Sequence, residues 1–262
     1  MPGLLPLQQY MLRGRDYDTV QRAVTILAQQ CMDKQGFHIQ LPPPVPAAGS
    51  MVDISVRRYG APNTLGDAQK YGYQVPPEDT PTPTAADQAF DRSVTPAERK
   101  ALVGATLAGA NAPYRNGCVG DADRHLMGSS SAIQVDGLAD PLLIRQVNDD
   151  PRAVESLTEE ADLKKFARCM SAAGYPDVTG PLQLPRQFDN AGTFTTTVSK
   201  AQISAAVTQF DCRQSSGVEA AMRAAEVVFQ LKAIDANPVA FAQVKAELAA
   251  VVRRATTIVA GG

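Results

Sequence analysis

His38 and His125 are the only imidazoles in the 262-residue chain, and they narrow the acid–base chemistry open to it. His125 closes the run Asp121-x-Asp123-x-His125, which could offer two carboxylates and a nitrogen to a metal ion. The composition after Gly120 suits a helix, and helical residues two apart point to different faces, so the three side chains are not expected to converge. An aspartate pair at a helix N-terminus also complements the positive end of the dipole without any metal. The preferred reading is therefore structural, with no metal and no cofactor. Beyond it, Gly128-Ser129-Ser130-Ser131 brings hydroxyls near His125, and a hydrolase-like enzyme would use His125 with one of these serines or an aspartate. The run is not a G-x-S-x-G elbow and follows no strand, so a turn is the plainer reading. Cys118, after Gly117 and before Gly120, could be an activated thiol at a helix N-terminus. Gly104 and Gly109 fall within or just after a helix and make no phosphate loop.

The cysteines carry more. Cys31, Cys118, Cys169 and Cys212 are spread along the chain with no close pair, so redox CxxC and zinc-ribbon spacings are absent. An even, dispersed set without His–Cys clusters predicts two disulfides and an oxidising compartment. The alternative is four buried thiols in a reducing one. Three pairings exist, and chain entropy gives about 4 to 5 kcal/mol for the loops concerned, so magnitude does not choose among them.

The elements that hold these residues are helical. A first helix is predicted from a cap at Asp18 or Thr19, with Val20, Val24, Leu27 and Cys31 as one stripe, ending at Gly36. With Gly36 as the left-handed terminator, Phe37 and Met32 become the touching pair of a Schellman motif. Leu163, Phe166, Ala167, Met170 and Ala173 form a second such face, ended by Gly174 and Tyr175. Cys31-Met32-x-x-x-Gly36-Phe37 is thus echoed by Cys169-Met170-x-x-x-Gly174-Tyr175, and a proline-containing segment follows each. We read two pseudo-repeated halves, 1–149 and 150–262, within one compact unit. If each half closes its own bridge, the pairs are Cys31–Cys118 and Cys169–Cys212.

From the first helix to Thr95 the chain is poor in helix signals. Leu41 to Pro46 and Pro76 to Pro83 read as extended, with Val52 to Val56 between them as a short strand. So long a loop is uncommon in a compact domain, and Arg57, Arg58, Tyr59, Tyr71 and Tyr73 within it are candidates for ligand binding, since arginine and aromatics are enriched at recognition sites. The equal alternative is that the tyrosines anchor the loop on the bundle and Arg57 or Arg58 caps helix carbonyls.

Helix grammar then resumes. Thr95-Pro96-Ala97-Glu98 is a capping box opening a helix to about Ala108, and Asp150-Pro151 opens another. Ser199-x-x-Gln202 starts a helix with Ile203, Val207 and Phe210 on one face; Val218 to Ile234 continues helical to a break at Asn237-Pro238. In the last helix Phe241, Val244, Leu248, Val251, Ala255 and Ile258 form a seam, facing the bundle or a partner. The fold class is mainly α: a helical bundle with a long proline-rich loop and two disulfides.

A net charge of −2 with dispersed Lys and Arg argues against nucleic acid; the pairs Arg57-Arg58 and Arg253-Arg254 read as solvated surface. No apolar run is long enough to span a membrane. The opening Met-Pro-Gly-Leu-Leu-Pro-Leu is not a signal peptide, and the expectation is an export signal upstream of it.

In order along the chain stand Leu5-Pro6-Leu7-x-x-Tyr10, the first Cys-Met motif, Arg57-Arg58-Tyr59-Gly60, Ala68-x-x-Tyr71-Gly72-Tyr73, Gly117-Cys118-x-Gly120-x-Ala122, the second Cys-Met motif and Asp211-Cys212. This order resembles a family of actinobacterial secreted proteins and lipoproteins and covers most of the chain, departing from it at Phe166, where a tryptophan is expected. The resemblance implies export, often with a lipid anchor, and no particular activity. The expected function is an extracytoplasmic protein of the cell envelope that binds a small molecule, peptide or envelope protein without catalysis. The alternatives are the His125 hydrolase and an assembly protein that associates through its last helix.

Overall fold

A computed structural model describes residues 4–44, 58–76, 85–104, 117–128, 151–188 and 198–261. Ten α-helices and no strand occur among them, and both disulfides join the expected pairs, Cys31–Cys118 and Cys169–Cys212. The helices are α1 Gly14–Lys34, α2 Leu65–Tyr71, α3 Ala85–Ser93, α4 Pro96–Val103, α5 Gly117–Met127, α6 Pro151–Leu157, α7 Glu160–Ala172, α8 Lys200–Ser216, α9 Val218–Ala236 and α10 Pro238–Gly261. Short 3-10 turns lie at Pro6–Tyr10 and Arg186–Phe188. The predicted strand at 52–56 and most of the proline-rich stretches lie outside the described residues.

Packing interleaves the two halves of the sequence. One compact unit comprises Met1–Val52, Thr82–Val147 and Ile234–Gly262; the other comprises Asp53–Pro81 and Asn148–Ala233. Each encloses one disulfide.

In the first unit α1 packs along α10 and α5, and α4 packs on α5. Val20 and Ala23 of α1 meet Leu126 of α5 and Val244, Leu248, Val251 and Ala255 of α10, so the seam of the last helix is buried inside its own unit. Arg254 reads as surface in the sequence, but its guanidinium donates to the carbonyls of Leu126 (2.5 Å) and Met127 (2.8 Å), satisfying orphan acceptors at the end of α5. In the second unit α2 and α7 both pack on α8. Phe166, Met170, Val178, Cys212, Val218 and Met222 form its principal cluster.

The repeated motif closes in the same way twice. Phe37 N–H donates to Met32 O at 3.0 Å and Gly36 N–H to Asp33 O at 3.0 Å; Tyr175 N–H donates to Met170 O at 2.9 Å and Gly174 N–H to Ser171 O at 3.1 Å. Gly36 and Gly174 have φ of 83° and 95°, which a Cβ would strain. Met32 and Met170 are both fully buried, and the cysteine before each forms its bridge at a Cα separation of 5.5 and 5.6 Å.

Three sequence expectations change. Helix α1 starts a turn earlier than the Asp18/Thr19 cap: Thr19 Oγ1 donates to Arg15 O, and Asp16 stands in the first turn, where its charge suits the dipole. The stretch before Thr95 holds two helices; α2 is capped by Thr64, whose hydroxyl accepts from Asp67 N–H at 3.0 Å, and it buries Ala68 with Ala205 and Ala206 of α8. The inner face of α8 is Gln202, Ala205, Ala206, Gln209, Cys212 and Arg213, whereas Ile203, Val207 and Phe210 are only half-buried. The capping box holds: Thr95 Oγ1 accepts from Glu98 N–H, and the Thr95 N–H, then its hydroxyl, hold the Glu98 carboxyl below its ordinary range.

Candidate functional site

The metal candidate disperses. Helix α5 begins at Gly117, so Asp121 and Asp123 lie beyond its first turn and not at its N-terminus. Asp121 pairs with Arg124, His125 is exposed in the last turn, and Ser129 to Ser131 lie outside the described residues. No three such ligands gather among the described residues. Cys118 is not a thiol: it is bonded to Cys31, and Gln35 Nε2 donates to its sulfur at 3.2 Å.

Asp123 keeps a physical signature. Burial raises its carboxyl to about 6 against the lowering by Arg124. The folded state then holds this proton more tightly than the unfolded state, whose value is the ordinary 3.8. Stability therefore falls as pH rises between about 4 and 6, and the whole cost persists above that window. Asp123→Asn is expected to gain about 2 to 3 kcal/mol at neutral pH, with no gain at acidic pH below the window, as measured by urea unfolding at several pH values.

The Arg- and Tyr-rich loop turns inward. Arg57 lies outside the described residues, while the Arg58 side chain is 8% exposed and Glu226 of α9 is 1% exposed. Arg58 Nε donates to both Glu226 carboxylate oxygens at 2.7 and 2.8 Å, and its Nη2 joins them. Tyr59 OH donates to Glu226 Oε2 at 2.6 Å and Gln230 Nε2 to Oε1 at 2.6 Å. Burial first, then the bond to Glu226, hold the Tyr59 phenol far above its ordinary range. Arg213 donates to the carbonyls of Tyr59 and Pro62, and Tyr73 OH donates to Gln209 Oε1 at 2.8 Å. Tyr71 is half-buried, with Lys70 Nζ 4.7 Å from its ring centre. Tyr59 and Tyr73 thus pin the loop to the helices, and Arg58 meets a carboxylate where helix carbonyls or solvent were expected.

Gln209, Arg213, Glu226 and Gln230 have no place in the sequence reading because their polarity marks them as surface. One signal did exist. Cys212 fixes the inward face of α8, and Gln209 and Ala205 lie three and seven residues before it; Glu226 and Gln230 follow Val218 and Met222 at successive steps of four.

The same helix builds a cavity wall. Gln209 Nε2 donates to the carbonyls of Pro181 (3.2 Å) and Gln183 (2.9 Å), drawing the segment after Tyr175 onto α8. Gln183 Oε1 accepts from Thr179 N–H (2.9 Å), Thr179 Oγ1 (3.0 Å) and Gly180 N–H (3.3 Å), and Asp177 Oδ2 accepts from Arg186 N–H at 2.9 Å. A side chain at Gly180 would collide with the Glu155 carboxylate of α6, so glycine admits that close approach. Between this segment, α6 and α7 lies an open cavity of about 880 Å³. Its described lining has the carboxylates of Glu155 and Asp177, the hydroxyls of Ser156 and Thr179, the Gln183 amide, and Leu163, Leu182 and Leu184, with no cationic side chain.

Among the described residues the protein is all-helical, with two disulfides and no helix long and apolar enough to cross a membrane. No family model, curated protein or solved structure matches it.

Proposed function

We infer that this is a non-catalytic, extracytoplasmic binding protein of the cell envelope that takes a cationic, hydrogen-bonding small ligand between α6, α7 and the segment from Tyr175 to Phe188. The cavity carries the reading: its volume suits a small molecule, and both its charged lining groups are acids. The ordered wall adds pre-organisation, because its backbone is held by Gln209 and Gln183 before any ligand arrives. The two disulfides support an oxidising location. The resemblance of its motif order to that of actinobacterial secreted proteins and lipoproteins adds to the reading of export.

Calorimetric titration with spermidine and with a lysine-containing tripeptide tests it. Binding that weakens about tenfold in Glu155→Gln and falls steeply with added salt is expected. Absence of binding by both probes, or equal binding to Glu155→Gln, would refute the assignment.

A further inference from the structure

The two bridges are matched in access and differ in their surroundings. In each, one sulfur belongs to a fully buried residue, Cys118 or Cys212, and the other to a half-buried one, Cys31 or Cys169. A thiolate arriving from solvent therefore meets Cys31 or Cys169, and the buried cysteine is the group that must leave. Cys31 and Cys169 both stand in the last turn of a helix, α1 and α7. Their partners do not correspond: Cys118 is the second residue of α5, whereas Cys212 is near the end of α8. Negative charge on a departing sulfur is favoured at a helix N-terminus and opposed at a C-terminus.

Hydrogen bonding separates the bridges further. Gln35 Nε2 donates to Cys118 Sγ at 3.2 Å and to Cys31 Sγ at 3.4 Å, so one amide spans the bridge. Gln35 lies four residues after Cys31, and the repeated motif has Ala173 at the matching place after Cys169, with no donor to offer. The Ser215 hydroxyl is 4.0 Å from Cys169 Sγ and donates to the Cys212 carbonyl at 3.4 Å. Arg213 follows Cys212, but its guanidinium donates to the carbonyls of Tyr59 and Pro62. Burial among apolar neighbours resists a thiolate at Cys118 and Cys212 alike, so the amide and the helix end are what distinguish the first bridge.

We propose that Cys31–Cys118 is a thiol-exchange site, at which a small external thiol adds to Cys31 and Cys118 leaves as the thiolate. In the first step the incoming thiolate's electron pair forms a bond to Cys31 Sγ. The Cys31–Cys118 bond breaks, and its pair goes to Cys118 Sγ, beside the Gln35 amide. One disulfide replaces another, so this step is not a net oxidation or reduction. A second thiolate then attacks the outer sulfur of the adduct and releases Cys31 as a thiolate. The small thiol leaves as its own disulfide, the bridge has gained two electrons, and both protein thiolates take protons from water. Cys169–Cys212 stays closed as a structural crosslink.

Treatment of the whole folded chain with 2-mercaptoethanol, quenched by N-ethylmaleimide and read by mass spectrometry of its cysteine peptides, tests the site. The adduct is expected on Cys31 and the maleimide on Cys118, with this bridge opening at least about tenfold faster than Cys169–Cys212. Gln35→Ala, which copies Ala173 at an exposed position, slows opening of the first bridge severalfold and leaves the second unchanged. Gln35→Glu slows it further by placing a negative charge beside the departing sulfur. Loss of stability would speed opening, so a poorly folded variant does not imitate these results. An adduct on Cys118, equal opening of the two bridges, or a rate indifferent to both Gln35 variants would overturn the proposal.

Discussion

Glu226→Ala is expected to lower stability by about 3 to 5 kcal/mol, one of the two largest losses foreseen for this protein. The carboxylate accepts from Arg58, Tyr59 and Gln230 inside the second unit, with almost no access to water. Removing it takes away the acceptor that the Arg58 guanidinium, the Tyr59 phenol and the Gln230 amide share, and the buried cation's loss of this counter-charge dominates the cost. The sign reverses with the design of the variant. Replacing Arg58, Tyr59 and Glu226 together by Met, Phe and Leu removes the charges and the polar groups they served, and should recover most of the loss. Urea unfolding of the single and triple variants measures both. Equal stability of Glu226→Ala and the parent would mean that water reaches Arg58 and the pair contributes little.

The second large effect belongs to the disulfides. Cys169→Ala with Cys212→Ala frees a crosslink across 43 residues, and Cys31→Ala with Cys118→Ala one across 87. Loop entropy puts the losses at about 4 and about 5 kcal/mol, so the longer loop costs only slightly more. Calorimetry under non-reducing conditions should show both paired variants melting well below the parent. Thiol titration of the denatured parent should find no reactive thiol before reduction and four after it. Reactive thiols before reduction would show that the bridges are absent from the native protein. Beyond stability, the Cys169–Cys212 bridge seats α8, which carries Gln209 and Arg213, the two side chains that hold the binding-wall segment and the Tyr59 loop.

Helix ends were the most legible part of this chain because they are local. Thr95 with Glu98, Ser199 with Gln202, and Gly36 and Gly174 each settle their geometry within a few residues, and the structure has all of them. The pairing of the cysteines was legible for a different reason: two cysteines share one helix-end motif, and the motif's symmetry selects one of three connectivities. The start of α1 was misjudged because a hydroxyl at a plausible cap position has a second use, the carbonyl four residues back. The short helix α2 was missed although Thr64 stands three residues before Asp67, because its apolar contact is chiefly one alanine, meaningful only against the alanines of α8.

The candidate site was far less legible. Its wall depends on Gln209, and the loop beside it on Arg213 and Glu226; in one dimension each of these reads as surface. The bonds from Glu226 to Arg58 and Tyr59 cross 168 and 167 residues of sequence, and nothing local announces them. A polar side chain enters a core only where its partners await it, and that is a property of the assembled unit.

The sequence by itself therefore determined a mainly helical, doubly disulfide-bonded protein: its main helix boundaries, its bridges and the apolar seam of its last helix. Those follow from dihedral preferences, caps and helical periodicity, which act over a few residues, and from a motif that occurs twice. Tertiary structure alone decided which segments share a unit, that the seam of α10 faces α1 and α5, and that Arg58, Tyr59 and Tyr73 turn inward. It also placed the acidic cavity beside α6 and α7. The physical reason is range: desolvation and pairing of charges depend on neighbours brought from far along the chain, so their outcome exists only once the helices have packed.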